Sequence, residues 1–130
     1  MATVTAQINL TSTDLLSDEL SVSVSTDVTA ANTTGLARRP VTATSVGGSA
    51  TLLFEASDFS APAYLYVKNT DSTATDYIFV YDGTTSGNPV ILKLAGGDWA
   101  FLPLNAGIQL KAYATTNPTL VEFMVIGTDA

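Results

Sequence analysis

Glu55 and Glu122 are the two carboxylates whose strand-like settings invite comparison with a glycosidase pair, in which two acids face each other across a cleft at roughly 5–10 Å. Each alternates with apolar neighbours, Glu55 after Phe54 and Glu122 between Val121 and Phe123. Such alternation makes an outward, solvated strand position the plainer expectation for both. A second possibility is calcium, which accepts carboxylate, carbonyl and water oxygens without any nitrogen or sulfur ligand. The run Asn69 to Asp76 holds Asp71 and Asp76, with Asp82 and Asp98 as further oxygen donors. Its spacing matches no calcium-loop signature, and Asn and Asp serve turns by bonding their own backbone, so a plain turn is expected here.

Two further groups suit recognition better than catalysis. Tyr64 and Tyr66 share one face of a strand, and Tyr77, Phe79 and Tyr81 share one face of the next. Aromatic rows of this kind fill cores, line subunit contacts, or stack sugars and bases. Core or interface is the favoured reading, with Tyr64, Tyr66, Tyr81 and Trp99 as the residues to watch for a sugar or receptor face. Arg38-Arg39, just before Pro40, is the densest positive spot. A guanidinium fork suits a carboxylate or carbonyl on a neighbouring subunit, and a solvated loop pair is the alternative.

Composition removes most other chemistry. The 130 residues contain no Cys and no His. Disulfides, thiolate nucleophiles, imidazole bases and the usual zinc sites are therefore excluded. A Ser-His-Asp constellation is impossible, and no serine–lysine motif or glycine-rich phosphate loop is visible. No catalytic residue, cofactor or metal is expected. Five basic residues stand against 12 acidic ones, for a formal net charge of −7. An acidic field repels phosphate, so neither nucleic acid nor an anionic membrane is an expected partner. The opening residues show no basic segment followed by an apolar run, and no stretch approaches the ~20 apolar residues of a membrane span; a soluble protein made in the cytoplasm is the expectation.

The elements that must carry these groups are strands. Val4, Ala6, Ile8 and Leu10 alternate with Thr5, Gln7 and Asn9, and Leu20, Val22 and Val24 alternate with serines. Period two gives each strand one apolar and one hydroxylated face. Further strand patterns cover 51–55, 63–69, 76–82, 89–94, 99–104, 108–114 and 119–126, each closed by Gly, Pro, Asn, Asp or Ser. Short strands punctuated in this way predict an all-β, antiparallel sandwich with a jelly-roll-like arrangement and an extended N-terminal segment. Pro103 lacks the N–H a ladder needs and belongs on an edge or bulge. One helical turn is expected near Ser12 to Glu19, where Ser12 or Thr13 caps a run bearing Asp14, Asp18 and Glu19.

Size is distributed unevenly along the chain. All 5 Phe, 5 Tyr and the single Trp lie at or beyond Phe54. Residues 51–130 should therefore hold the large-side-chain core. Residues 1–50 are built from Thr, Ser, Ala and Val, with a loop around 30–35. They either supply outer strands of the same sandwich or form an arm that pairs with a sheet edge or another chain.

The run from Ala63 to Ser72 (Ala-Tyr-Leu-Tyr-Val-Lys-Asn-Thr-Asp-Ser), the strand Asp76 to Val80, the corner from Leu94 through Gly97 to Leu102-Pro103-Leu104, and the closing hairpin through Leu110-Lys111-Ala112-Tyr113-Ala114 and Val121 to Gly127 form one pattern. Over roughly residues 50–130 it resembles the small β-sandwich accessory virion proteins of tailed bacteriophages. The resemblance implies a noncatalytic structural role, foremost a capsid decoration (cement) protein on the outside of a phage head. It further implies contact with the major capsid protein or other virion proteins, a symmetric homo-oligomer such as a trimer, and assembly into the virion in the host cytoplasm. A small tail or head–tail component is the alternative within the same resemblance. A carbohydrate- or receptor-binding sandwich module is the alternative outside it. No functional residue is carried over, because packing rather than chemistry defines such proteins.

Overall fold

The computed structural model describes residues 2–47, 49–55, 59, 63–105, 107–115 and 118–127. These form β1 (Ala2–Ser12), β2 (Leu20–Ala30), β3 (Asn32–Thr33), β4 (Ala37–Val41), β5 (Thr51–Phe54), β6 (Ala63–Asn69), β7 (Ile78–Asp82), β8 (Val90–Leu94), β9 (Trp99–Leu104), β10 (Leu110–Ala114) and β11 (Thr119–Gly127), with no helix among them. Every pairing is antiparallel.

The pairing is nested around the β7–β8 hairpin. β7 pairs with β8, β6 with β9, β5 with β10 and β4 with β11. The chain thus behaves as one long hairpin that rolls up, and β6–β11 and β7–β10 contacts close the roll. The result is two facing sheets, β4-β11-β6-β9 and β5-β10-β7-β8, with β3 continuing the β4 edge along β11. This is the jelly-roll form of the antiparallel sandwich.

Strict alternation fills the space between the sheets. Leu65 and Val67 on β6 and Val121, Phe123 and Val125 on β11 point inward, opposite Ile78 and Val80 on β7 and Leu110 and Ala112 on β10. Phe54 stacks on Phe59 with ring centroids 5.6 Å apart, giving this small core a pair of large flat surfaces. β9 is the outer strand of its sheet, so Pro103 sits on an edge where no ladder donor is missed.

Two local expectations require correction. Within the segment 30–35, read as a loop, Asn32 and Thr33 form a short strand on β11, and Arg38, Arg39 and Pro40 lie in the sheet, paired with Glu122, Val121 and Leu120. Charge and proline disguised this strand because it is an edge, where both are tolerated. The break between β3 and β4 is bridged by Thr34, whose N–H donates to the Val125 carbonyl (3.0 Å) and whose hydroxyl accepts from the Val125 N–H (2.9 Å). The helical turn near Ser12 does not form. Ser12 Oγ does accept the Leu15 N–H at 3.0 Å, as a cap would, but the chain must reverse so that Ser12 opposes Leu20. Ladder closure therefore overrides the capping signal.

The sandwich begins before residue 51, since β3 and β4 belong to it and Val41 lies in the core. β1 and β2 do not join either sheet. They pair only with each other, in unbroken register from Ala2↔Ala30 to Ser12↔Leu20, as a two-stranded arm.

One turn outside the arm makes a pH-dependent contribution. Asp82 is buried at the start of the β7–β8 tip, where its carboxylate accepts from the Thr85 hydroxyl at 2.5 Å and the Thr84 N–H at 2.8 Å. The Thr85 hydroxyl bond, helped by the backbone N–H groups, holds the carboxyl below its usual range against the opposing effect of burial. A depressed folded pKa means that this stabilisation is present above the unfolded value near 4 and is lost as pH falls through the lower folded value. Asp82→Ala is expected to cost about 2 kcal/mol at pH 7, a fall of about 6–10 °C in thermal midpoint. Its deficit should shrink in urea titrations at pH 3; an equal deficit at both pH values would contradict this account.

Candidate functional site

Register places the outward side chains of the β4-β11-β6-β9 sheet in rows. Arg38, Glu122, Lys68 and Trp99 are successive cross-strand partners and form one row. Met124, Tyr66 and Phe101 form the next. Tyr64 belongs to the row beyond, and its ring stacks on Phe101 with centroids 5.7 Å apart. The outer face of this sheet is thus aromatic and apolar, with a charged row along one side.

The arm lies over it. Period-two alternation in an antiparallel pair puts Val4, Ala6, Ile8 and Leu10 on the same side as Val28, Thr26, Val24 and Val22, leaving Thr5, Gln7, Asn9 and their partners on the other. On the polar side Thr5 Oγ1 donates to Asp27 Oδ1 at 2.7 Å. At the base of the arm Val28 is buried, and the Ala31 N–H donates to the Gly127 carbonyl at 3.0 Å, tying the ribbon to the end of β11. Beyond the base, arm and sheet do not close on each other. Between them runs a groove of about 360 Å³, roofed by Val4, Ala6, Ile8 and Val24. Its floor is Tyr66, Trp99, Phe101 and Met124.

A fixed ionic rim borders this groove. Glu122 Oε2 accepts from Arg38 Nε at 2.7 Å, and Glu122 Oε1 accepts from the Tyr66 hydroxyl at 2.9 Å. The Arg38 guanidinium, and after it the Tyr66 hydroxyl, hold the Glu122 carboxyl below the usual range. Burial and the bond to Glu122 push the Tyr66 hydroxyl up. At neutral pH the rim therefore consists of an ionised carboxylate held between a cation and a neutral phenol, a setting that fixes the orientation of all three groups.

Glu55 and Glu122 are not brought together: Glu55 follows β5 of the other sheet and accepts from Gln109 Nε2 at 2.6 Å, and neither acid lines the groove. The 69–76 run is a backbone-bonded turn, with Asp71 Oδ1 accepting from the Thr73 N–H at 2.8 Å and Asp98 Oδ2 from the Ala95 N–H at 3.0 Å. No cluster of three potential metal ligands exists among the described residues. Arg38 and Arg39 both have partners within the chain, Arg39 Nη1 donating to the Leu52 carbonyl at 3.1 Å while its guanidinium lies 5.4 Å from the Phe123 ring centroid.

Of the four aromatic candidates, Tyr64, Tyr66 and Trp99 share one face, and Trp99 is 53% exposed. Tyr81 requires correction, because it belongs to the opposite sheet and is only 1% exposed. Its hydroxyl accepts from the Gly47 N–H at 3.2 Å, so the segment after β4 crosses over it. Sequence reasoning missed Phe101 and Met124 because they enter the face only through cross-strand register. The arm residues did show their alternation, but nothing in one strand names the sheet it will cover.

No protein-family pattern, curated protein or solved structure matches the chain.

Proposed function

We propose that this chain is a noncatalytic structural protein of a tailed-bacteriophage virion, a decoration protein on the outer surface of the head that binds the major capsid protein and assembles as a symmetric homo-oligomer. The observation that carries this reading is the arm: a ribbon of eleven residue pairs standing outside a rigid jelly roll, with an apolar face that its own domain leaves largely uncovered. An isolated two-stranded ribbon is marginal in water, so an apolar arm of this length suits adhesion to other subunits. Many copies on one particle make individually weak contacts sufficient. The −7 charge suits a position outside a nucleic-acid container.

Cosedimentation with expanded heads and, separately, with purified tails tests this. Saturable binding to heads and not to tails is the expected result. Binding to tails alone moves the protein to the tail component, and binding to neither overturns the virion reading. A sugar- or receptor-binding module is the second reading, favoured by the half-exposed Trp99 beside Tyr66, since flat exposed rings stack on sugars. Retardation in a polysaccharide gel that Trp99→Ala abolishes would favour it over the first.

A further inference from the structure

We propose that the tip of the arm docks into the groove beneath the arm of a second copy of this chain, so that successive subunits are linked arm to groove. This goes beyond the virion reading and does not depend on it.

The tip has a face that needs a partner. Leu15 and Leu16 are 68% and 56% exposed, and Leu10 and Val22 at the end of the ladder are 53% and 39% exposed. These four residues leave on the order of 400 Å² in water, within the ~300–600 Å² of the largest apolar patch on an ordinary monomer. That is about half of the ~800 Å² which each partner contributes to a specific interface.

The tip cannot reach its own groove. The ladder from Ala2↔Ala30 to Ser12↔Leu20 has no bulge at which to fold back. The groove's last lining pair is Ile8↔Val24. Four further residues at ~3.4 Å each carry the tip roughly 14 Å beyond it. The groove in turn is apolar and open, and its ~360 Å³ falls within the ~300–1,000 Å³ of sites that enclose a sizeable apolar group.

Charge decides what fills it. Residues 1–37 contain no Lys or Arg, whereas the tip carries Asp14, Asp18 and Glu19. Packing two arms face to face would crowd these acids together with no cation between them. The groove instead borders the row that holds Lys68 and Arg38 against the single carboxylate Glu122. Acidic, leucine-bearing tip and cation-edged apolar groove complement each other. Because every copy carries both a tip and a groove, the contact closes either as a reciprocal exchange of tips about a two-fold axis or head to tail as a ring.

The purified full chain, free of any virion component, provides the test. Light scattering should give a discrete multiple of 13.5 kDa. Leu16→Asp and Trp99→Ala, both at exposed positions, should each weaken self-association about 30-fold or more, as hot-spot truncations do, while leaving the far-ultraviolet circular dichroism of the sandwich and its cooperative unfolding at high dilution in place. Because the chain has no cysteine, Leu16→Cys and Trp99→Cys can be joined by a short bis-maleimide. Coupling should appear when the two variants are coexpressed and not with either alone. A monomer at all concentrations, an oligomer indifferent to both substitutions, or efficient coupling of Leu16→Cys to itself would each overturn the proposal. Because no heads are present, such a failure leaves the cosedimentation result standing.

Discussion

Asn69→Ala should lower the thermal midpoint by about 10–20 °C, which for a chain of this size corresponds to about 3–5 kcal/mol. Asn69 ends β6 and is fully buried. Its Nδ2 donates to the Asp76 carbonyl at 2.7 Å and to the Leu94 carbonyl at 3.0 Å, and its Oδ1 accepts the Asp71 N–H at 3.1 Å. Leu94 belongs to β8, so one amide on the first sheet fastens the edge of the second and fixes the turn between β6 and β7. Truncation removes these three bonds at a site where water has little access, at about 1–3 kcal/mol for each group left unsatisfied. Asn69→Asp separates this from loss of volume. A carboxylate has nearly the same shape but cannot donate to the two carbonyls, and its charge is unwelcome in a buried site. It should be at least as damaging as alanine at pH 7 and milder at pH 4, where the protonated acid regains one donor. Equilibrium urea unfolding at both pH values reads this directly; a loss under 1 kcal/mol for Asn69→Ala would mean that water replaces the amide.

That residue also marks how far a sequence of this kind can be read. Alternation in 63–69 and 119–126 made the all-β class and the inward side of each strand legible, because side-chain direction in a strand depends on position alone. Asn69, by contrast, looked like the first residue of a turn. Its role depends on Leu94 arriving from another sheet, and that is a property of strand order. β4 was hidden for a related reason: an edge strand satisfies only one ladder and has no need of the apolar run that announces a central one. The groove was the least legible feature. Tyr66, Phe101 and Met124 are neighbours only because β6 lies between β9 and β11 in a particular register. A one-residue slip in either pairing would turn a whole strand's rings to the other face.

The second large effect is expected at Gly96, and its value lies in the contrast with Gly97. The turn Ala95-Gly96-Gly97-Asp98 connects β8 to β9 and is closed by the Asp98 N–H donating to the Ala95 carbonyl at 2.9 Å. Gly97 has φ +88° at the third position, as a type II turn requires, and a Cβ there would meet nothing. Gly97→Ala should therefore cost only the left-handed penalty of about 1 kcal/mol. At Gly96 the obstacle is backbone. A Cβ would collide with the Thr73 carbonyl oxygen and stand 2.8 Å from its carbon and 2.9 Å from the Asp71 carbonyl oxygen. No rotamer can relieve such a clash, so one of the two turns must move, and Gly96→Ala should cost about 3 kcal/mol, in the range of strain at a closely packed backbone. The turn that moves is the one Asn69 holds, through Asp71 on one side and the Gly97 N–H bonded to the Asn69 carbonyl at 3.0 Å on the other. Gly96→Ala combined with Asn69→Ala should consequently destabilise by less than the sum of the two, since contacting sites share the structure they disrupt. Equal costs at Gly96 and Gly97, or strict additivity with Asn69, would mean that the two turns are not pressed together and that the amide does not act through them.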